Sequence, residues 1–346
     1  MSFSERNAKK RKTAHNGPPG PGGRPMSFKP SARFTPVEGG RDWTVSVAVP
    51  SSVLSDLATA DQRMAIPGRI ARALAVFCVD EVIVFDDSPA KLRPANVEPN
   101  SYTAETDPCH FLSHILNFLE APPFMRKALF PLHPNLRLTA VLPSLDMPHH
   151  PHPKEWVPYK EGVTLSGKTT TGKGTLVEIG NEQPVEIKEV IPPMTRVTLK
   201  LPDDETGYPE CVHPEAPRTE GGYYWGYQVR RCESLSSVFT ECPYENGYDL
   251  SVGTSERGTP ISNSFPPGQT VPFQHLLIVF GGPRGLEYAS MNDEELCTMN
   301  VQGSRTSELF DHWINVMPNQ GSRTIRTEEA VFITLTALKG SWDSRY

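Results

Sequence analysis

Leu276-Leu277-Ile278-Val279-Phe280 runs straight into Gly281-Gly282-Pro283-Arg284-Gly285. Further on, Trp313-Ile314-Asn315-Val316-Met317-Pro318 runs into Asn319-Gln320-Gly321-Ser322-Arg323-Thr324. Each reads as an apolar strand that stops at a turn exposing its backbone. That is how α/β proteins build small-molecule sites, at the carboxyl ends of their strands. The second turn leads into the last apolar stripe of the chain, Phe332, Ile333, Leu335 and Leu338, which reads as a helix. Glu328 and Glu329 fall in its first turn, where negative charge suits the helix dipole.

Outward from these turns the pattern stays α/β. Trp43-Thr44-Val45-Ser46-Val47-Ala48-Val49 reads as a strand, residues 66–76 as a helix, and Val82-Ile83-Val84-Phe85 as a strand closed by Asp86 and Asp87. Strand, helix, strand predicts a parallel β–α–β unit. Residues 110–120 read as a helix, and Leu136-Arg137-Leu138-Thr139-Ala140-Val141-Leu142 as a third strand. Residues 223–230 and 248–252 read as further strands, with a helix at 234–241 between them.

Between these parts the character changes. Short β-type runs at residues 162–165, 174–179, 185–190 and 196–201 alternate with Gly/Pro turns and show no helical spacing. They predict a small β-barrel of the oligonucleotide-binding (OB) type, inserted in the α/β fold. The organisation expected is a disordered basic tail over 1–40, an α/β domain over 41–150 and 220–346, the insert over 151–205, and a loop over 206–219. The barrel loop Ser166-Gly167-Lys168-Thr169-Thr170-Thr171-Gly172-Lys173 is basic and hydroxyl-rich. It suits phosphate contact, though an ordinary hairpin loop reads the same way.

Composition narrows the function classes. Residues 1–33 carry eight Lys/Arg against Glu5 alone, leaving 26 basic against 39 acidic residues in the rest. A body this acidic is no generic nucleic-acid sponge, so RNA contact must come from local basic patches or from the tail. Lys9-Lys10-Arg11-Lys12 reads as a nuclear or nucleolar address, or as a solubilising tail. No apolar run approaches the ~20 residues that span a bilayer, which predicts a soluble, intracellular protein without membrane partners. The six cysteines show no CxxC pair, and the run His149-His150-Pro151-His152 lacks converging ligands, so no metal is expected.

Gly253-Thr254-Ser255-Glu256-Arg257-Gly258 is a third strand-end segment. Its glycines let backbone groups approach a ligand, and Arg257 could bind phosphate or stabilise developing charge. Gly281–Gly285 fits neither the dinucleotide fingerprint GxGxxG nor a P-loop, since no GK[ST] is present. A ligand bound through backbone groups rather than phosphate is what remains.

Together, three strand-end turns in this order, finishing on a C-terminal helix, resemble the SPOUT (α/β-knot) methyltransferases over roughly residues 42–340. In that family these loops hold S-adenosylmethionine, and the last is threaded through the chain as a trefoil knot. The chain looks most like the eukaryotic and archaeal branch, whose SPOUT domain carries an inserted OB-like barrel. An animal member of that branch is associated with the spindle and kinetochore. The resemblance implies that Thr254, Gly281, Gly282, Gly285, Leu286, Asn315, Val316, Met317, Pro318, Ser322 and Thr324 surround the cofactor. It leaves Arg257 as the catalytic or substrate-orienting group, with Glu256 beside it, and Arg323, Lys168 and Lys173 towards RNA. No motif supplies an obvious general base. The implied activity is S-adenosylmethionine-dependent methylation of RNA, at uridine N3 of large-subunit ribosomal RNA, by a nuclear or nucleolar homodimer associated with pre-ribosomes or the spindle. The alternative is a catalytically silent RNA-binding or spindle-associated scaffold that kept the fold.

Overall fold

The computed structural model describes residues 34–93, 101–153, 155–167, 169, 172, 174–202 and 207–345; the tail up to residue 33, Lys168 and Lys173 lie outside the described residues. The chain opens with β1 (Thr44–Pro50), α1 (Ala60–Val76), β2 (Glu81–Phe85) and α2 (Pro108–Glu120). β1 and β2 are parallel neighbours, with Val47 beside Val82. Thr59 caps α1 by accepting the Gln62 N–H, while the Gln62 side chain accepts the Thr59 N–H. Asp107 caps α2 through the His110 N–H, and Pro108 takes the first helical position, where a missing N–H costs nothing.

A second sheet follows: β3 (Tyr159–Thr164), β4 (Thr175–Glu178), β5 (Val185–Ile187), β6 (Arg196–Lys200) and β7 (Glu210–Val212). Its antiparallel order is β5-β4-β3-β6-β7, curled over Val177, Ile179, Ile187, Val197 and Leu199. The edge strands β5 and β7 do not pair with each other. The result is a half-barrel rather than a closed barrel. Arg196 of β6 ties it to the first part of the fold by bonding Glu120 at the end of α2 (2.6 Å), while Glu161 of its neighbour β3 holds the same guanidinium from within the sheet (2.6 Å).

The chain then returns through β8 (Gln228–Cys232), α3 (Leu235–Thr240), β9 (Leu250–Pro260), β10 (His275–Val279), α4 (Gly285–Met291), β11 (His312–Asn315) and α5 (Thr327–Leu338). Six strands form one parallel sheet in the order β11-β9-β10-β1-β2-β8. Side-chain alternation splits its core in two. Val45, Val47, Val49, Val82, Val84, Leu276 and Ile278 pack with residues of α1, α2 and α5, such as Ile70, Leu112 and Val331. Ala48, Ile83, Phe85, Leu277 and Val279 pack on the opposite face with α3 and α4, through Leu235, Val238 and Leu286. Strands covered on both faces read as unbroken apolar runs, which is why they were visible in the sequence.

Three expectations need correction. Residues 136–142 are not a strand but part of a 3₁₀ helix, Pro134–Val141. Leu136, Leu138 and Leu142 lean on the core, and β8 takes the sheet edge instead. The strand expected at residues 223–230 sits later, at β8, because Tyr224 and Tyr227 are pulled into the core, their hydroxyls donating to Leu74 O (3.5 Å) and Leu116 O (3.0 Å). The loop expected over 206–219 contains β7 and a helical turn, Ala216–Thr219.

Candidate cofactor site

Three segments meet at the carboxyl edge of the parallel sheet, and side chains tie them together. Thr254 of β9 donates through Oγ1 to Val279 O at the end of β10, at 3.1 Å. Asn315, the last residue of β11, donates through Nδ2 to Glu256 O at 2.8 Å, and its Oδ1 accepts the Met317 N–H at 3.0 Å. Thr327, the first residue of α5, donates through Oγ1 to Gly281 O at 2.9 Å. Each segment is bonded to its neighbour, so three local sequence features become one site.

The first segment is not the simple strand end expected after residue 252. β9 continues to Pro260, but its register with β11 slips: Trp313 pairs with Gly253 and Ile314 with Thr259. Residues 254–258 therefore bulge from the ladder, a device that re-aims side chains beside functional sites. Glycine is required where the bulge begins and ends. A Cβ at Gly253 would lie 2.5 Å from the Trp313 ring, and one at Gly258 2.3 Å from the Ile314 carbonyl carbon.

The second segment lies on the end of β1. A Cβ at Gly282 would fall 2.0 Å from Ser52 Oγ, and one at Gly281 2.8 Å from the Gly285 backbone. Gly285 has φ +78° and donates its N–H to Gly282 O at 2.9 Å, closing the turn that starts α4. Beneath it, the Ser52 N–H and hydroxyl donate to Asp87 at 3.1 and 2.5 Å. Burial pushes the Asp87 carboxyl above its ordinary value, against the pull of these Ser52 bonds.

The third segment, residues 316–326, enters no strand or helix, so most of its main-chain groups are not committed to secondary structure. Val316 is half-buried against the core, while Met317, Pro318, Ser322, Arg323 and Thr324 are exposed. Leu286 is fully buried, so only its backbone faces the turn. Arg257 is 74% exposed, with its guanidinium 3.6 Å from Glu287 of α4; Glu256 is also exposed. The structure thus brings the glycines, Thr254, Glu256, Arg257 and Asn315 together. Ser322, Arg323 and Thr324 lie on the loop from β11 to α5 without a side-chain tie to the others among the described residues.

Glu287, Ser52 and Asp87 were not singled out from the sequence. The acids closing β2 were visible, but the contact between β2's end and Gly282 is a tertiary fact. His149 and His150 both turn their Nε2 atoms to Glu120, at 3.0 and 2.6 Å from its carbonyl oxygen. Among the described residues no group of three or more His, Cys, Asp or Glu could hold a metal ion, and no helix is long and apolar enough to cross a membrane.

Residues 44–338 match the model of the family described as "Putative RNA methyltransferase". The chain belongs to that family of RNA methyltransferases. This SPOUT-class member is 41% identical over 305 residues to the human protein named 28S rRNA (uridine-N(3))-methyltransferase, covering 87% of this chain and 79% of the human one. The Drosophila melanogaster protein of the same name is 42% identical over 309 residues, covering 86% of this chain and 62% of the fly one. An uncharacterised Halobacterium salinarum protein is 26% identical over 314 residues, covering 85% of this chain and 98% of its own length. The match spans both sheets, so the half-barrel is part of what this RNA methyltransferase shares with the family.

Proposed function

We propose that this RNA methyltransferase uses S-adenosylmethionine to methylate uridine N3 in large-subunit ribosomal RNA. The observation that carries the choice of atom and RNA is the 41% identity, over 87% of the chain, to a human protein named for that reaction. The residues present fit the cofactor. The site has glycines that bring backbone close, a segment of main chain outside strand and helix, and no lysine or P-loop that would speak for a phosphate ligand. Main-chain groups of residues 315–318 and 281–286 would hold it, with Thr254 bracing the first two loops. S-adenosylmethionine supplies an already activated methyl group, so the protein's task is to position the nucleophile in line.

Uridine N3 carries a weakly acidic proton, and a nearby cation favours the anion left when it departs. Arg257 serves that role, with Glu287 steering the guanidinium from 3.6 Å. Two copies form the working unit, the last loop is threaded as a trefoil knot, and the protein acts in the nucleolus. Mass spectrometry of ribosomal RNA nucleosides from cells with and without the gene tests the reading. Loss of 3-methyluridine from the large-subunit RNA supports it, and an unchanged level refutes it.

A further inference from the structure

A cavity of about 360 Å³ lies at the far edge of the parallel sheet, away from the cofactor loops. Its walls include Tyr102, His110, His114, Asn117, Phe130 and Arg231. That volume falls in the ~300–1,000 Å³ range of small-ligand sites. The rings form a continuous aromatic lining: His110 stacks on Tyr102 at 3.7 Å and 9°, and His114 stacks near Phe130 at 5.9 Å and 19°. Tyr102 OH and His114 Nδ1 bond each other at 2.9 Å, which fixes the inner wall.

Charge and polarity complete the lining. Burial lowers the pKa of His114 to about 4 and also lowers that of His110, which favours the uncharged form of both rings. Asn117, an exposed residue of the lining, donates through Nδ2 to Ser113 O at 3.0 Å, which holds its side-chain amide at the rim. Arg231 comes from edge strand β8 with its side chain 51% exposed, 3.7 Å from Asp107. Beside the pocket, His133 lies 4.5 Å from the Tyr102 ring; its Nδ1 accepts the Asn135 N–H, and its buried Nε2 has no hydrogen-bond partner. Stacking surfaces with an amide and a guanidinium at the rim are the means by which proteins hold a splayed-out base and its phosphate.

We infer that this pocket is a second RNA subsite, taking one unstacked nucleobase on the outer face of the half-exposed His110 ring, which buried Tyr102 backs from the other side, and its flanking phosphate on Arg231. The inference rests on the RNA methyltransferase reading and adds to it. β8 lies four strands from β9, roughly 19 Å at ~4.8 Å per step, so the captured base is a different nucleotide from the one methylated. The subsite therefore selects RNA in which a second unpaired nucleotide stands at that separation.

Fluorescence anisotropy of the full chain with a labelled single-stranded RNA of mixed sequence tests this. His110→Ala should raise Kd about tenfold without changing its salt dependence, and His110→Phe, which keeps a stacking ring, should restore most of the affinity. Arg231→Ala should raise Kd severalfold and lower the salt slope by about one. Cofactor binding and thermal unfolding of all three variants should match the wild type. RNA affinities within twofold of wild type for both alanine variants would overturn the subsite alone. So would equal losses in His110→Ala and His110→Phe. A wild-type chain that binds no RNA would overturn the functional reading together with the subsite.

Discussion

Gly282 has no room for a side chain. A methyl group there would meet Ser52 Oγ at 2.0 Å, and that hydroxyl is held by buried Asp87. Gly282→Ala must therefore shift the turn or break the Ser52–Asp87 bond, at a cost of ~1–3 kcal/mol. Calorimetry should show S-adenosylmethionine affinity at least tenfold weaker, and unchanged affinity would mean the turn does not line the cofactor. Arg257 is the opposite case, exposed, with its guanidinium 3.6 Å from Glu287. Arg257→Ala should leave the melting temperature and cofactor affinity alone and lower kcat about a hundredfold. A variant with wild-type kcat would remove Arg257 from the chemistry. Of these residues, the glycines and Arg257 were legible from the sequence because turn chemistry is local. Ser52, Asp87 and Glu287 were not, since their roles depend on which strand ends become neighbours.

At the scale of elements, the half-barrel is fixed to the sheet domain by Glu120. Burial alone would raise the pKa of this carboxyl, but Arg196 and His149 beside it more than reverse that, holding it well below its usual 4.5. A depressed carboxyl pKa stabilises the fold fully above the unfolded value and loses that contribution as pH falls below it. The melting temperature should thus fall as pH drops from about 5 to 3. Glu120→Gln should cost about 3 kcal/mol at neutral pH and flatten this acid limb. An acid limb of equal slope in both proteins would show that Glu120 is not the coupling group. The doubly covered strands β1, β2 and β10 announced themselves as apolar runs. Residues 136–142 carried similar apolar content but fall mostly in the 3₁₀ helix Pro134–Val141, while β8 pairs beside β2. β7 is only three residues long, Glu-Cys-Val, too short for any period to show. The bulge at residues 254–258 was hidden as well, because register belongs to the pair of strands and not to either sequence.

For the whole molecule, the sheet order places β11 outside β9, so the last part of the chain closes a site begun by β9 and β10. Such a site, built late and at an edge, suits completion by a second copy. Sedimentation equilibrium of the full chain should give twice the chain mass at micromolar concentration, and a monomer at that concentration would refute the paired working unit. Purified protein should be incubated with S-adenosylmethionine carrying a deuterated methyl group and with unmodified large-subunit ribosomal RNA, and the nucleosides resolved by mass spectrometry. Deuterated 3-methyluridine is expected with the wild type and at least tenfold less with Gly282→Ala. Label in another nucleoside, or no label while the protein binds the same RNA, would contradict methylation of uridine N3.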